Sequence, residues 1–141
     1  MESTDFVTEN GETITIGPRF RYLISDVIFT NSDGEDIVID GHRLIDVANS
    51  TPTESATYKP ETLIPAGEYN VSFTYGFKTE DNITDAYADL NSTSFNVPGI
   101  LGGGYHYMQL DGKYINNDDV VDNFNYHNIS CLLYTSPSPR D

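Results

Sequence analysis

Residues 70–77 read NVSFTYGF, an alternation that sets Val71, Phe73, Tyr75 and Phe77 on one side and Ser72, Thr74 and Gly76 on the other. A period of two marks a strand with one buried face. The segment is therefore expected to be an antiparallel strand with those four large side chains turned inward. Upstream, IPAGEYN places Pro65 and Gly67 in a turn that feeds it. Further upstream, FRYLISDVIFT (20–30) is rich in β-branched and aromatic residues, and NSDGED behind it offers Asp33-Gly34 as a hairpin turn before EDIVIDG. Downstream, YHYMQLDGKYI and NFNYHNIS read as two more strands, separated by the polar NNDDVVD.

Between these blocks no helical periodicity develops. The segment KTEDNITDAYADLNSTSFNVPGI (78–100) is long and polar, with DAYADL as its only candidate for a helical turn, and TPTESATYKP (51–60) is a Thr/Ser/Pro-rich loop. Short strands joined by turn signals, without alternating helices, define an all-β antiparallel sandwich. One domain of residues 1–130 accounts for the pattern. The last eleven residues, CLLYTSPSPRD (Cys131 to Asp141), spell the translation of a sequencing-library transposase adapter and are expected to lie outside the fold.

The chain carries 22 acidic against 7 basic residues, a net charge of −15, and setting aside Arg140 and Asp141 with the adapter leaves that balance unchanged. A surface of that sign repels phosphate backbones and anionic lipid. Nucleic-acid binding is not expected, nor is insertion into a membrane, since no run approaches the ~18 apolar residues of a spanning helix. The only cysteine, Cys131, falls in the adapter segment, so disulfide and thiolate chemistry are not expected either.

The chemistry-bearing residues gather near LGGGYHYMQLDG (101–112). Strict alternation would put His106 on the face of Met108 and Leu110, with Tyr105, Tyr107 and Gln109 opposite. A histidine on an apolar face has two readings: a core residue hydrogen-bonded to a backbone carbonyl, or a metal ligand. The run Gly102–Gly104 provides positive φ for an abrupt turn or lets another segment approach closely. It is not the start of a phosphate loop, because a strand follows where a helix N-terminus and a lysine would be needed.

RYLISDVIFTNSDGEDIVIDGHRLIDVANS, LIPAGEYNVSFTYGF, EDN and LNSTSFNVPGILGGGYHYMQLDGKY, in this order, resemble the MbnP-like domain family. That family consists of extracytoplasmic β-sandwich proteins, many predicted to be lipoproteins of the periplasm or cell surface, and is named for a copper-binding protein associated with methanobactin uptake. The resemblance implies a metal-binding module rather than an enzyme, with His106 and His127 as the metal contacts and copper as the metal. It also implies a first strand, carrying further ligands, ahead of FVTENGETITI, which this sequence is expected to lack, leaving the domain incomplete. His42 in GHRLID is expected to be structural. Many relatives carry a tryptophan before the glycine turn; this chain has none, and Phe95 stands in its place.

A different class remains open: a structural or adhesive surface module without a transition metal. Its acidic loop offers Glu80, Asp81, Asn82, Asp85 and Asp89, oxygen donors of the kind Ca²⁺ takes. Their spacing lacks the central glycine and terminal glutamate of an EF-hand, and a solvated cap on the sandwich is the other reading of the same residues. Catalytic signals are weak. There is no G-x-S-x-G elbow, and no two carboxylates are paired by spacing.

Overall fold

A computed structural model describes residues 5–48 and 56–130 of the chain. The adapter segment and residues 51–55 of the Thr/Ser/Pro-rich loop lie outside these residues. The architecture is all-β and antiparallel, as the sequence pattern implies. Its axis is one long strand, β2 (Thr13–Thr30), flanked in sequence by β1 (Asp5–Val7) and β3 (Asp36–Asp46) and followed by β4 (Asn70–Tyr75), β5 (His106–Ile115) and β6 (Val121–Ile129). The first half of β2 pairs with β5, Thr13 opposite Ile115 through Tyr22 opposite Met108. Its second half pairs with β4, Ile24 opposite Tyr75 through Thr30 opposite Asn70. β3 pairs along residues 21–30 of β2, β1 pairs near its start, and β6 extends the sheet beyond β5.

Three hairpins share one turn chemistry. In each, the residue that opens the turn (Thr8, Asn31 or Asn116) donates its N–H to the carbonyl four residues on and accepts an N–H from Gly11, Gly34 or Asp119. Those three partners all have positive φ, 84°, 81° and 59°. Asn31 and Asn116 also turn their side-chain oxygens onto two backbone N–H groups each. Asx turns of this kind hold the corner whatever the strands pack against.

The inward face assigned to residues 70–77 needs correction. Val71, Phe73 and Tyr75 are 55%, 59% and 42% exposed, whereas Phe77 is buried. The strand ends at Gly76, where φ is +76°, and a Cβ there would sit 2.2 Å from the Tyr107 ring. Gly76 donates its N–H to the Leu23 carbonyl and accepts the Ser25 hydroxyl at its own carbonyl. This turn carries Phe77 to the side of the sheet on which Leu23 points. There it joins Leu23, Leu90, Phe95 and Tyr105 in the buried core, with Leu44, Tyr87 and Tyr107 packed around them.

That core lies under the polar connection between β4 and β5. The connection is an ordered cap, with 3₁₀ turns at Thr79–Asp81 and Gly99–Leu101 and a short helix, α1 (Ala88–Ser92), as the DAYADL reading anticipates. Tyr105, fully buried, donates its hydroxyl to Asn91 and accepts the N–H of Tyr87. Both polar needs of the ring are therefore met. The triple glycine works in both expected ways. Gly102, Gly103 and Gly104 all have positive φ, and side chains at Gly103 and Gly104 would strike Thr84 and Asn82 at 2.5 and 2.6 Å. In that space Thr84 Oγ1 accepts the Gly104 N–H and Asn82 Oδ1 accepts the Tyr105 N–H.

Candidate metal centre

Strand β5 is irregular at its start. Between His106 and Met108 it advances two residues while β6 advances one, from Ile129 to Asn128. The extra residue, Tyr107, is a β-bulge, and it reverses the alternation expected from sequence. His106 consequently shares its face with Gln109 and Asp111, not with Met108 and Leu110. Directly across the β5–β6 ladder, Gln109 faces His127 and Asp111 faces Asn125, while across the β2–β5 ladder Gln109 faces Arg21. A polar layer of Arg19, Arg21, His106, Gln109, Asp111 and His127 forms at this end of the sheet.

The two histidines singled out from sequence meet there. Their ring centroids are 5.1 Å apart, one ring edge-on to the other at 87°. His106 is 8% exposed, whereas the His127 side chain is 32% exposed, so the pair spans the boundary between core and solvent. The Nδ1 of His106 lies 3.0 Å from the Phe95 carbonyl and 3.3 Å from the Gln109 amide nitrogen. The carbonyl can only accept, and it is the nearer partner, so Nδ1 carries the proton and Nε2 the lone pair. Burial pushes the His106 pKa below the ordinary imidazole value; the bond to the Phe95 carbonyl opposes this, and the neighbouring His127, Arg21 and Arg19 add to the lowering. Neutral imidazole is the form that binds metal.

His127 Nε2 lies 2.7 Å from Asp111 Oδ1. The other carboxylate oxygen, Oδ2, takes the Arg19 Nε–H at 3.1 Å. Asn125, with its amide nitrogen turned toward Asp111, adds a contact of 3.0 Å to Oδ1. Arg21 is fastened separately, donating to Gln109 Oε1 at 2.7 Å and to the Thr93 carbonyl at 2.6 Å, with its guanidinium 5.4 Å from the Phe95 ring centroid. Phe95 also packs beside His106 at 5.8 Å and so adjoins the candidate centre. Its ring offers no donor atom; its carbonyl orients the histidine.

Arg19, Arg21, Gln109 and Asp111 are absent from the sequence reading of the site. A signal for them exists, since Arg19-x-Arg21 and Gln109-x-Asp111 each have the period of a strand face, polar where burial calls for apolar side chains. Among the described residues no group of three or more His, Cys, Asp or Glu side chains is arranged to hold a metal. Among the described residues each of these two neighbouring imidazoles has one ring nitrogen tied to a protein acceptor and the other without a partner, an arrangement that could hold a metal.

His42 sits elsewhere. Its Nε2 is 2.7 Å from Asp89 Oδ2, and its ring meets Tyr87 and Phe77 edge-on at 4.8 and 5.3 Å. This is a histidine fixing α1 to the sheet, in keeping with a structural role. The acidic loop residues are dispersed over such tasks. Asn82 caps Tyr105, Asp85 accepts the Asn96 amide, and Asp89 pairs with His42. Asp81 lines a cleft with Asp26, Asp40 and His42, where Lys78 already sits 3.2 Å from Asp26.

The MbnP family model matches residues 1–134, and the chain belongs to that family. No curated protein and no solved structure matches it.

Proposed function

We propose that this MbnP domain is a non-enzymatic, extracytoplasmic metal-binding module of the copper type, with His106 and His127 as its protein contacts. The pairing of the two rings at 5.1 Å carries the reading. Imidazole nitrogen suits copper or zinc, the depressed His106 pKa keeps one donor neutral, and the exposure of His127 gives an ion a route from solvent. The metal is the module's cargo. It would be held by the imidazole nitrogens that Phe95 and Asp111 leave untied, with further ligands from outside this pair.

Isothermal titration of Cu²⁺ and Zn²⁺ into the domain and its His106→Ala and His127→Ala variants tests this. Each variant is expected to bind at least about tenfold more weakly, the loss that even an outer-shell change produces at such sites. Equal affinity in all three ends the reading.

A second reading is favoured by a specific observation. His106 is buried and bonded to a backbone carbonyl, which is all that a core histidine requires. On that account the domain is a structural or adhesive surface module in which the acidic loop is a cap, with or without Ca²⁺. A Ca²⁺ titration followed by thermal melting addresses it, since a bound ion raises the melting temperature.

A further inference from the structure

Asp111 is a carboxylate whose surroundings leave it one role. Its side chain is 9% exposed, and every polar neighbour that faces it is placed to donate: Arg19 at Oδ2, Asn125 and His127 at Oδ1. An ionised carboxylate accepts only. The proton between His127 and Asp111 therefore belongs to His127 Nε2, which leaves the lone pair on Nδ1. At His106 the arrangement is reversed, because the Phe95 carbonyl takes the Nδ1–H and leaves Nε2. The two rings thus hold opposite tautomers within one polar layer.

We infer that Asp111 is the positioning residue of the candidate centre, locking His127 as the Nε2–H tautomer so that the pair presents mixed donors, Nε2 from His106 and Nδ1 from His127. The ligand role rests on the metal-binding reading above, whereas the tautomer assignment stands on the metal-free geometry. Arg19 contributes by holding Oδ2 at 3.1 Å, which keeps the carboxylate turned toward the ladder. A neutral imidazole in water interchanges its tautomers freely, and the buried carboxylate removes that freedom before any ion arrives. Pre-setting the donor lowers the cost of binding.

The test uses the full chain, ¹⁵N-labelled and metal-free, at about pH 8, above the ordinary imidazole range. Two-bond ¹H–¹⁵N spectra are expected to show His127 as Nε2–H and His106 as Nδ1–H. In Asp111→Ala, His127 is expected to become a tautomer mixture while His106 keeps its pattern, which also reports that the fold is intact. Should that variant not fold, Asp111→Asn, which keeps the shape with a weaker acceptor, is expected to give a partial shift. An Nδ1–H tautomer at His127 in the wild type, or an unchanged His127 pattern in the folded variants, overturns the inference. Titration with Zn²⁺ is expected to show binding about 10- to 100-fold weaker in Asp111→Ala. If His127→Ala weakens binding and Asp111→Ala does not, the positioning role is overturned and the metal reading stands. If neither histidine variant weakens binding, the metal reading falls and the ligand role with it, while the tautomer spectra still decide what Asp111 does to His127.

Discussion

Among the described residues two histidine–aspartate pairs have the same length, 2.7 Å, in very different surroundings. His42 meets Asp89 over an aromatic floor of Phe77 and Tyr87, and its carboxylate is 60% exposed. His127 meets Asp111, whose carboxylate is 9% exposed and already engaged by Arg19, with a second imidazole 5.1 Å away. Distance alone does not distinguish an anchor from a candidate ligand. The surroundings do: rings that fill space in one case, and a second untied imidazole nitrogen in the other.

The largest effect that could break this contrast concerns the floor under His42. Phe77 is stacked on Tyr87 at 4.7 Å and edge-on to Tyr105 at 5.9 Å. Phe77→Ala is expected to cost about 3–5 kcal/mol of stability, measured by denaturant unfolding. A loss under about 1 kcal/mol would mean that the cap on this side holds without its aromatic stack.

A smaller effect separates the two ends by pH. Burial sets the folded pKa of His106 below its unfolded value of about 6.5. Between the depressed pKa and about 6.5 the unfolded chain binds the proton and the folded chain does not, so stability falls as pH drops through that window and is level above it. Carboxylate repulsion in so acidic a chain changes over the same range, and the comparison must therefore be made against a variant. His106→Gln is expected to lose less stability than wild type between about pH 7 and 5. Parallel curves would show that His106 titrates alike in both states.

How much of this could be read beforehand depends on how local the cause is. The hairpin between β2 and β3 was legible because Asn31, Asp33 and Gly34 encode its turn within five residues, whereas the turns at Thr8 and Asn116 were not read as such. Strand identity was legible in β5 and β6, and with it the chance that His106 and His127 meet. Side-chain direction was not, at two places. The bulge at Tyr107 exists through its register against β6, and the crossover at Gly76 through the ring of Tyr107, partners 31 residues apart in sequence. Alternation counted along one strand cannot register either. The same limit explains why Asp111 and Arg19 went unassigned: their roles come from neighbours on other strands.

The smallest predicted effect is the one that sharpens the comparison most. Asp89 shares with Asp111 a 2.7 Å contact to a histidine, yet water reaches its carboxylate freely, and the ring it touches is already held by Phe77 and Tyr87. An exposed pair gains little over its hydrated parts, about 0–1 kcal/mol. The first turn of α1 adds only a weak favourable field for a negative charge, because the helix spans residues 88–92 alone. Asp89→Ala is therefore expected to lower stability by less than about 1 kcal/mol, and to leave metal titrations unchanged. The same substitution at Asp111 strips a buried acceptor from His127, Arg19 and Asn125 together, and is expected to cost about 1–3 kcal/mol. Paired unfolding curves for the two variants decide the matter. Equal losses would show that the burial of Asp111 adds nothing to its contact, and the distinction between anchor and positioned ligand would then rest on the second imidazole alone.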